Sequence, residues 1–116
     1  MKITIFGNPF SLCFDNFPVI KVGQGFDTHK LIKGKSITLF GVKIAHKYSL
    51  LGHSDADVGT HAIIDALLGS CSLGDIGKHF PETDKKYKGI NSLIMLSNTY
   101  KILKKYKAYI SHIDCT

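Results

Sequence analysis

"HSDADVGTHAIIDALLG" (53–69) decides how this chain is read. Val58, Ala62, Ile63, Ala66 and Leu67 recur at helical spacing, and Gly69 suits a C-terminal stop. Ser54 stands three residues before Asp57, resembling a capping box with Asp in the Glu role, so a helix is predicted to begin near Ser54. On it, Asp57, His61 and Asp65 are four apart and share one face. A second stretch, "GQGFDTHK" (23–30), sits inside "IKVGQGFDTHKL", which reads as a strand with a glycine-loosened middle. Asp27 and His29 are two apart, so on a strand both side chains reach one point.

The two stretches are either an ordinary turn and a helix start or the halves of one divided site. Packed together, they bring a carboxylate and two imidazoles to one place, a donor set of catalytic zinc sites with a fourth position open. Asp57 or Asp65 would then orient an imidazole. The plainer alternative makes Asp27 and His29 a chance D-x-H, Asp57 and Asp65 solvated charges, and His61 a hydrogen-bonded core histidine. A helix start also offers free N–H groups that suit phosphate, and His53 and Ser54 stand there. Asp75, between glycines in "LGDIG", is placed to hold a polyol, with "FPETD" closing the loop over it; turn former and breaker are the plain readings of Asp75 and Pro81.

Outward from these stretches, "KSITLFGVKI" reads as a β-hairpin arm with Gly41 as turn or bulge, and "AHKYSLLGHSD" as loop. "SLGDIGKHFPETDKKYKG" is a long polar loop, of a length that is functional or disordered. A second helix follows Asn91–Ser92, with Leu93, Leu96, Tyr100 and Leu103 as its apolar stripe. "AYISHIDCT" reads as a strand that looks cut off at the last residue. Residues 1–20 are taken as an extension outside the core, an N-terminal strand or a precursor remnant, and 21–116 as the domain.

A chain of 116 residues is one domain at most and can bury a core without disulfides. The net charge is +6 and every basic residue is lysine. Nucleic-acid readers use arginine forks as well, so the lysine runs read as solvated faces or as a field for a polyanionic small substrate, not as a nucleic-acid surface. Cys13, Cys71 and Cys115 form no CxxC pair; buried thiols in a reducing compartment are expected. No apolar run approaches transmembrane length, so no membrane partner is expected.

"GxGFDTH", "LLGHSDADVGTHAIIDALLG", "LGDIGKHFPETD" and "KG" at 88–89 follow one another in an order and spacing that resembles the 2-C-methyl-D-erythritol 2,4-cyclodiphosphate synthase family over about 21–116. The resemblance implies an α+β fold, a sheet with helices packed on one face in two layers, assembled as a homotrimer with sites between subunits. It implies cyclisation of 4-diphosphocytidyl-2-C-methyl-D-erythritol 2-phosphate with release of CMP, in non-mevalonate isoprenoid biosynthesis, in a bacterial cytoplasm or a plastid-type organelle. Carried over by position, Asp27, His29 and His61 are ligands of a zinc-type ion. His53 is the histidine that stabilises the transition state, with Ser54 beside it on phosphate. Asp75, Ile76 and Gly77 grip the erythritol diol, and Phe80, Pro81, Glu82, Thr83 and Asp84 form the adjoining substrate loop. The family pattern continues past "HIDCT" with a cytidine-binding loop, a threonine, and a glutamate for a second divalent ion, magnesium or manganese. The chain is therefore expected to carry the metal-and-erythritol half alone. The competing readings are a non-catalytic metal- or phosphate-binding fragment of that scaffold and, ranked last, a zinc hydrolase.

Overall fold

The computed structural model describes residues 2–10 and 19–116. Strands β1 (Lys2–Phe10), β2 (Val19–Phe26) and β7 (Tyr109–Cys115) form an antiparallel sheet in the order β2-β1-β7. Lys2 pairs with Phe26 and Ile3 with Cys115, so β1 is the middle strand. Of the two readings of the N-terminal segment, residues 2–10 take the strand, and they lie inside the sheet rather than as an extension beside it. Their glycine, asparagine and proline disguised a strand that two neighbours hold on both edges. Cys13 lies outside the described residues.

Helix α1 (Val58–Ser70) lies across β2. Gly23 and Gly25 are what allow it: a methyl group at Gly23 would sit 1.9 Å from the Ala66 carbonyl oxygen, and one at Gly25 1.8 Å from that of Ala62. The glycines do not loosen the strand; they remove side chains where the helix backbone touches it. Ala62, Ala66 and Leu67 form a core with Cys71, Leu103 and Ala108, to which Ile110 and Ile113 of β7 add. The other side of α1 buries Ile64 and Leu68 against Phe80 and Met95. A helix pressed by a sheet and a second helix is buried on two faces, which a single-stripe reading misses. Helix α3 (Ser92–Lys105) supplies that second layer. Its inward line is Ser92, Met95, Thr99 and Leu103, while Leu93 and Tyr100 are exposed. The stripe is rotated from the expected one because two of its buried residues are hydroxyls with hydrogen bonds: Thr99 donates to the Met95 carbonyl at 3.0 Å, and Ser92 to Asp55.

Strands β4 (Ser36–Leu39) and β5 (Val42–Ala45) form the expected hairpin. Its two-residue turn places Phe40 at φ 51° and Gly41 at φ 78°, the left-handed pair that matches strand twist. The segment read as loop contains β6 (Tyr48–Leu50), paired with β3 (Leu31–Lys33). Three residues are too few to show a period. The helix does not start at Ser54. Asp57 is its N-cap, fully buried, accepting from the Thr60 N–H at 3.0 Å and the Thr60 hydroxyl at 2.8 Å. The same carboxylate takes the Phe40 and Gly41 N–H groups at 2.9 and 2.6 Å, tying the hairpin turn to the helix. Gly69 is not the stop: the helix runs to Ser70, and the left-handed residues after it are Ser72 and Gly74. Cys71 is buried as expected and Cys115 is exposed, on a strand whose inward residues are Ile110 and Ile113. No helix among the described residues is long and apolar enough to cross a membrane.

Candidate metal centre

β2 ends at Phe26, so Asp27 and His29 lie just past the strand on which they were expected. His61 stands in the first turn of α1, not two turns along it. The three meet. Asp27 Oδ2 lies 3.0 Å from His29 Nε2 and 3.2 Å from His61 Nδ1, and the two nitrogens are 3.3 Å apart. Four ligands at about 2.0–2.1 Å around a tetrahedral ion are about 3.3 Å from one another, so this triangle has the edges of one tetrahedral face. His29 Nδ1 lies 2.7 Å from the Leu51 carbonyl, which can only accept; it therefore carries the proton and leaves Nε2 bare toward the triangle. Two imidazole edges and a carboxylate facing one point are a donor set that could hold a divalent metal ion.

Burial, the largest influence on Asp27, pushes its carboxyl pKa up. Hydrogen bonding from a protonated His61 ring, the charges His29 and His61 carry when protonated, and the Thr28 N–H together outweigh it, so the net shift is downward. A carboxylate held ionised beside two imidazoles is the charge state a cation requires. Asp65 shifts the other way: burial raises it first, Asp75 and Asp27 add to the rise, and the Ile76 N–H at 2.7 Å and His61 oppose it.

The triangle opens on a cavity of ≈ 220 Å³. His53, Ser54, Ile76, Gly77, Phe80 and Glu82, all carried over by position from the resemblance, line it, and so do Tyr87, Ile90 and Met95, which the sequence did not single out. His53 is exposed and 3.6 Å from Glu82 across the mouth. His53 and Ser54 do not stand at open helix N–H groups, because α1 begins four residues after Ser54 and Asp57 occupies its cap. Asp75 caps the short helix α2 (Ile76–His79) by accepting from Lys78 N–H at 2.9 Å, and only Ile76 and Gly77 of that trio line the cavity. Pro81, Thr83 and Asp84 stand outside the lining; Asp84 caps the 3₁₀ turn Lys85–Tyr87 and pairs with Lys86 at 2.8 Å. Neither Asp57 nor Asp65 orients an imidazole through a hydrogen bond: their carboxylates hold the hairpin turn and Ile76. His61 Nε2 instead faces Ser92 Oγ at 2.9 Å and Ser54 Oγ at 3.0 Å. Ser92 escaped the sequence reading because one serine at a helix start looks like a cap.

The sequence model of the YgbB family matches residues 20–116. The chain belongs to the YgbB family. Among curated YgbB relatives, it is 53% identical over 97 residues to the 2-C-methyl-D-erythritol 2,4-cyclodiphosphate synthase of Clostridium beijerinckii, covering 84% of this chain and 61% of that protein. It is 54% identical over 97 residues to the synthase of Agathobacter rectalis, covering 84% of this chain and 55% of that one. A solved 2C-methyl-D-erythritol-2,4-cyclodiphosphate synthase in its CDP-bound form superimposes with a TM-score of 0.68 at 38% identity, over 73% of this chain and 57% of that structure. The α+β fold is that of these YgbB structures. The chain spans 55–61% of the length of these two curated relatives.

Proposed function

We propose that these residues form the metal-binding and erythritol-binding part of a 2-C-methyl-D-erythritol 2,4-cyclodiphosphate synthase. The observation that carries this is the Asp27–His29–His61 triangle opening on a lined cavity. The reaction is attack of the substrate's 2-phosphate on its own β-phosphate, with CMP as leaving group. Such transfer rests on positioning and on neutralising charge at phosphorus. A zinc-type ion held by the three ligands supplies Lewis-acid polarisation of a phosphate. The chain's residues do the rest. Ser54 donates to a phosphate oxygen, and His53 at the mouth donates to the charge that develops there. The Ile76–Gly77 segment, Phe80 and Glu82, which line the cavity, are the groups placed to hold the diol. The cytidine grip and the protein ligand of a second divalent ion, magnesium or manganese, belong to the portion of the relatives that these residues do not cover. The CDP in the related structure supports a diphosphocytidyl ligand. Association with further copies is supported by Ile20, Val22 and Phe26, which are 71%, 54% and 64% exposed on one strand, and the homotrimer itself rests on the resemblance.

Phosphorus NMR of the diphosphocytidyl substrate tests the division of labour. The 116 residues alone should release little or no CMP, and efficient release would show that the metal half suffices. Metal content tests the site itself, as set out below.

A further inference from the structure

A fully buried hydroxyl outside the cavity lining reaches one of the three residues of the triangle from behind. Ser92 is 0% exposed at the start of α3, and its hydroxyl oxygen lies 2.9 Å from His61 Nε2. Its own proton is committed: Ser92 Oγ donates to Asp55 Oδ1. Asp55 is fixed in turn. Its Oδ2 accepts from Ser92 N–H at 3.0 Å, its Oδ1 from Asp57 N–H at 3.2 Å, and its own N–H donates to the Ile90 carbonyl at 3.1 Å. The Gly89 N–H bond to the His53 carbonyl, at 2.6 Å, joins the same two loops.

A hydroxyl has one proton. With that proton on Asp55, the oxygen facing His61 can only accept, so His61 must present an N–H at Nε2. A neutral imidazole protonated at Nε2 has its lone pair at Nδ1, the atom that faces Asp27 and His29. We propose that the Asp55–Ser92 pair is the positioning device of the centre: it sets the tautomer and plane of His61 so that Nδ1 is offered to the cation. This rests on the metal reading above. It also gives Ser54 its role. Ser54 Oγ accepts the Ala56 N–H at 3.1 Å, and with Nε2–H turned to Ser92 the Ser54 proton is left for a phosphate oxygen. His29 is set the same way by the Leu51 carbonyl, so the two ligands are oriented by groups on opposite sides of the triangle.

Partners of metal-bound histidines are commonly worth about 10–100-fold in metal affinity. The test is zinc titration of the purified chain against a chromophoric chelator, with nitrogen-detected NMR of the histidine rings and a thermal midpoint on the same samples. In the parent, His61 should carry its proton at Nε2 with and without zinc. Ser92→Ala should bind zinc about 10–100-fold more weakly, and its His61 should lose the Nε2–H preference. Ser92→Thr keeps the hydroxyl and should restore both. Parental zinc affinity in a folded Ser92→Ala, or Ser92→Thr as weak as Ser92→Ala at an unchanged midpoint, would overturn the proposal. If Ser92→Ala does not fold, the parent tautomer decides: an Nδ1–H His61 in the metal-free chain overturns it. A parent that binds no zinc yet shows the Nε2–H ring would sink the metal reading and leave the pairing of Asp55, Ser92 and His61 standing.

Discussion

Gly25→Ala probes how closely α1 must lie on β2 for the centre to form. The added methyl would stand 1.8 Å from the Ala62 carbonyl oxygen and 2.8 Å from Ala66 N. Contacts under 3.0 Å are not tolerated, so strand and helix must part by more than 1 Å, about the gap between 1.8 and 3.0 Å. Backbone atoms cannot swing aside as a side chain would. Overpacking of this kind costs about 1–3 kcal/mol or more, which for a domain near this size lowers Tm by roughly 4–24 °C. The damage should also reach the metal. Asp27 is two residues from Gly25, and His61 precedes Ala62, so the parting opens the 3.2 Å gap between Asp27 and His61. The check is a thermal melt with and without zinc: the variant should melt lower and gain less from the ion than the parent does. Gly69→Ala is the control. Nothing lies within 4 Å of the added methyl there, and the position is helical, so it should stabilise by about 0.4–1 kcal/mol. A Gly25→Ala chain with parental Tm and parental gain from zinc would refute the close-packing argument.

Asp57→Ala removes the acceptor of three N–H groups and one hydroxyl, all at a fully buried position, and should lower Tm more than any surface aspartate variant; an effect as small as that of Asp114→Ala would contradict it. Asp65 has a folded pKa raised above 3.8, so its contribution to stability is fully present below that value and is lost as pH rises through the folded pKa. Asp65→Asn should therefore match or exceed the parent midpoint at neutral pH, with the advantage disappearing on acidification toward pH 4; an advantage that grew on acidification would reverse the sign. In a longer synthase carrying this site, His53→Ala should lower kcat by about 10²–10³ while leaving zinc content and midpoint in place, since one donor aimed at developing charge is worth that much. Parental kcat would remove His53 from the mechanism.

The meeting of Asp27, His29 and His61 was legible in the sequence because each obeys local geometry. D-x-H at the end of a strand and a histidine in a helix's first turn bring their own directions, and the Gly23 and Gly25 pair brings the two elements into contact. The hairpin turn was legible at Gly41 for the same reason. What was hidden is non-local. Ser92 and Asp55 are 37 residues apart and meet only because the 53–55 and 89–92 loops are zipped together. Asp57 looked like a solvated charge because its partners, Phe40 and Gly41, are backbone groups 17 and 16 residues away. The rotated face of α3 was hidden by its buried hydroxyls, which are satisfied by partners that no period reveals. β1 opens on strand formers at Ile3, Thr4, Ile5 and Phe6, but Gly7, Asn8 and Pro9 break the pattern, and its place comes from pairing with β2 and β7.

Elemental analysis of the purified chain beside His61→Ala, after dialysis against zinc and then against buffer, addresses the central claim most directly. The account predicts about one tightly held ion per parent chain, with four-coordinate sites of this donor type as the warrant, and little retained by the variant. The same zinc content in both would show that Asp27, His29 and His61 are a hydrogen-bonded cluster and not a metal centre.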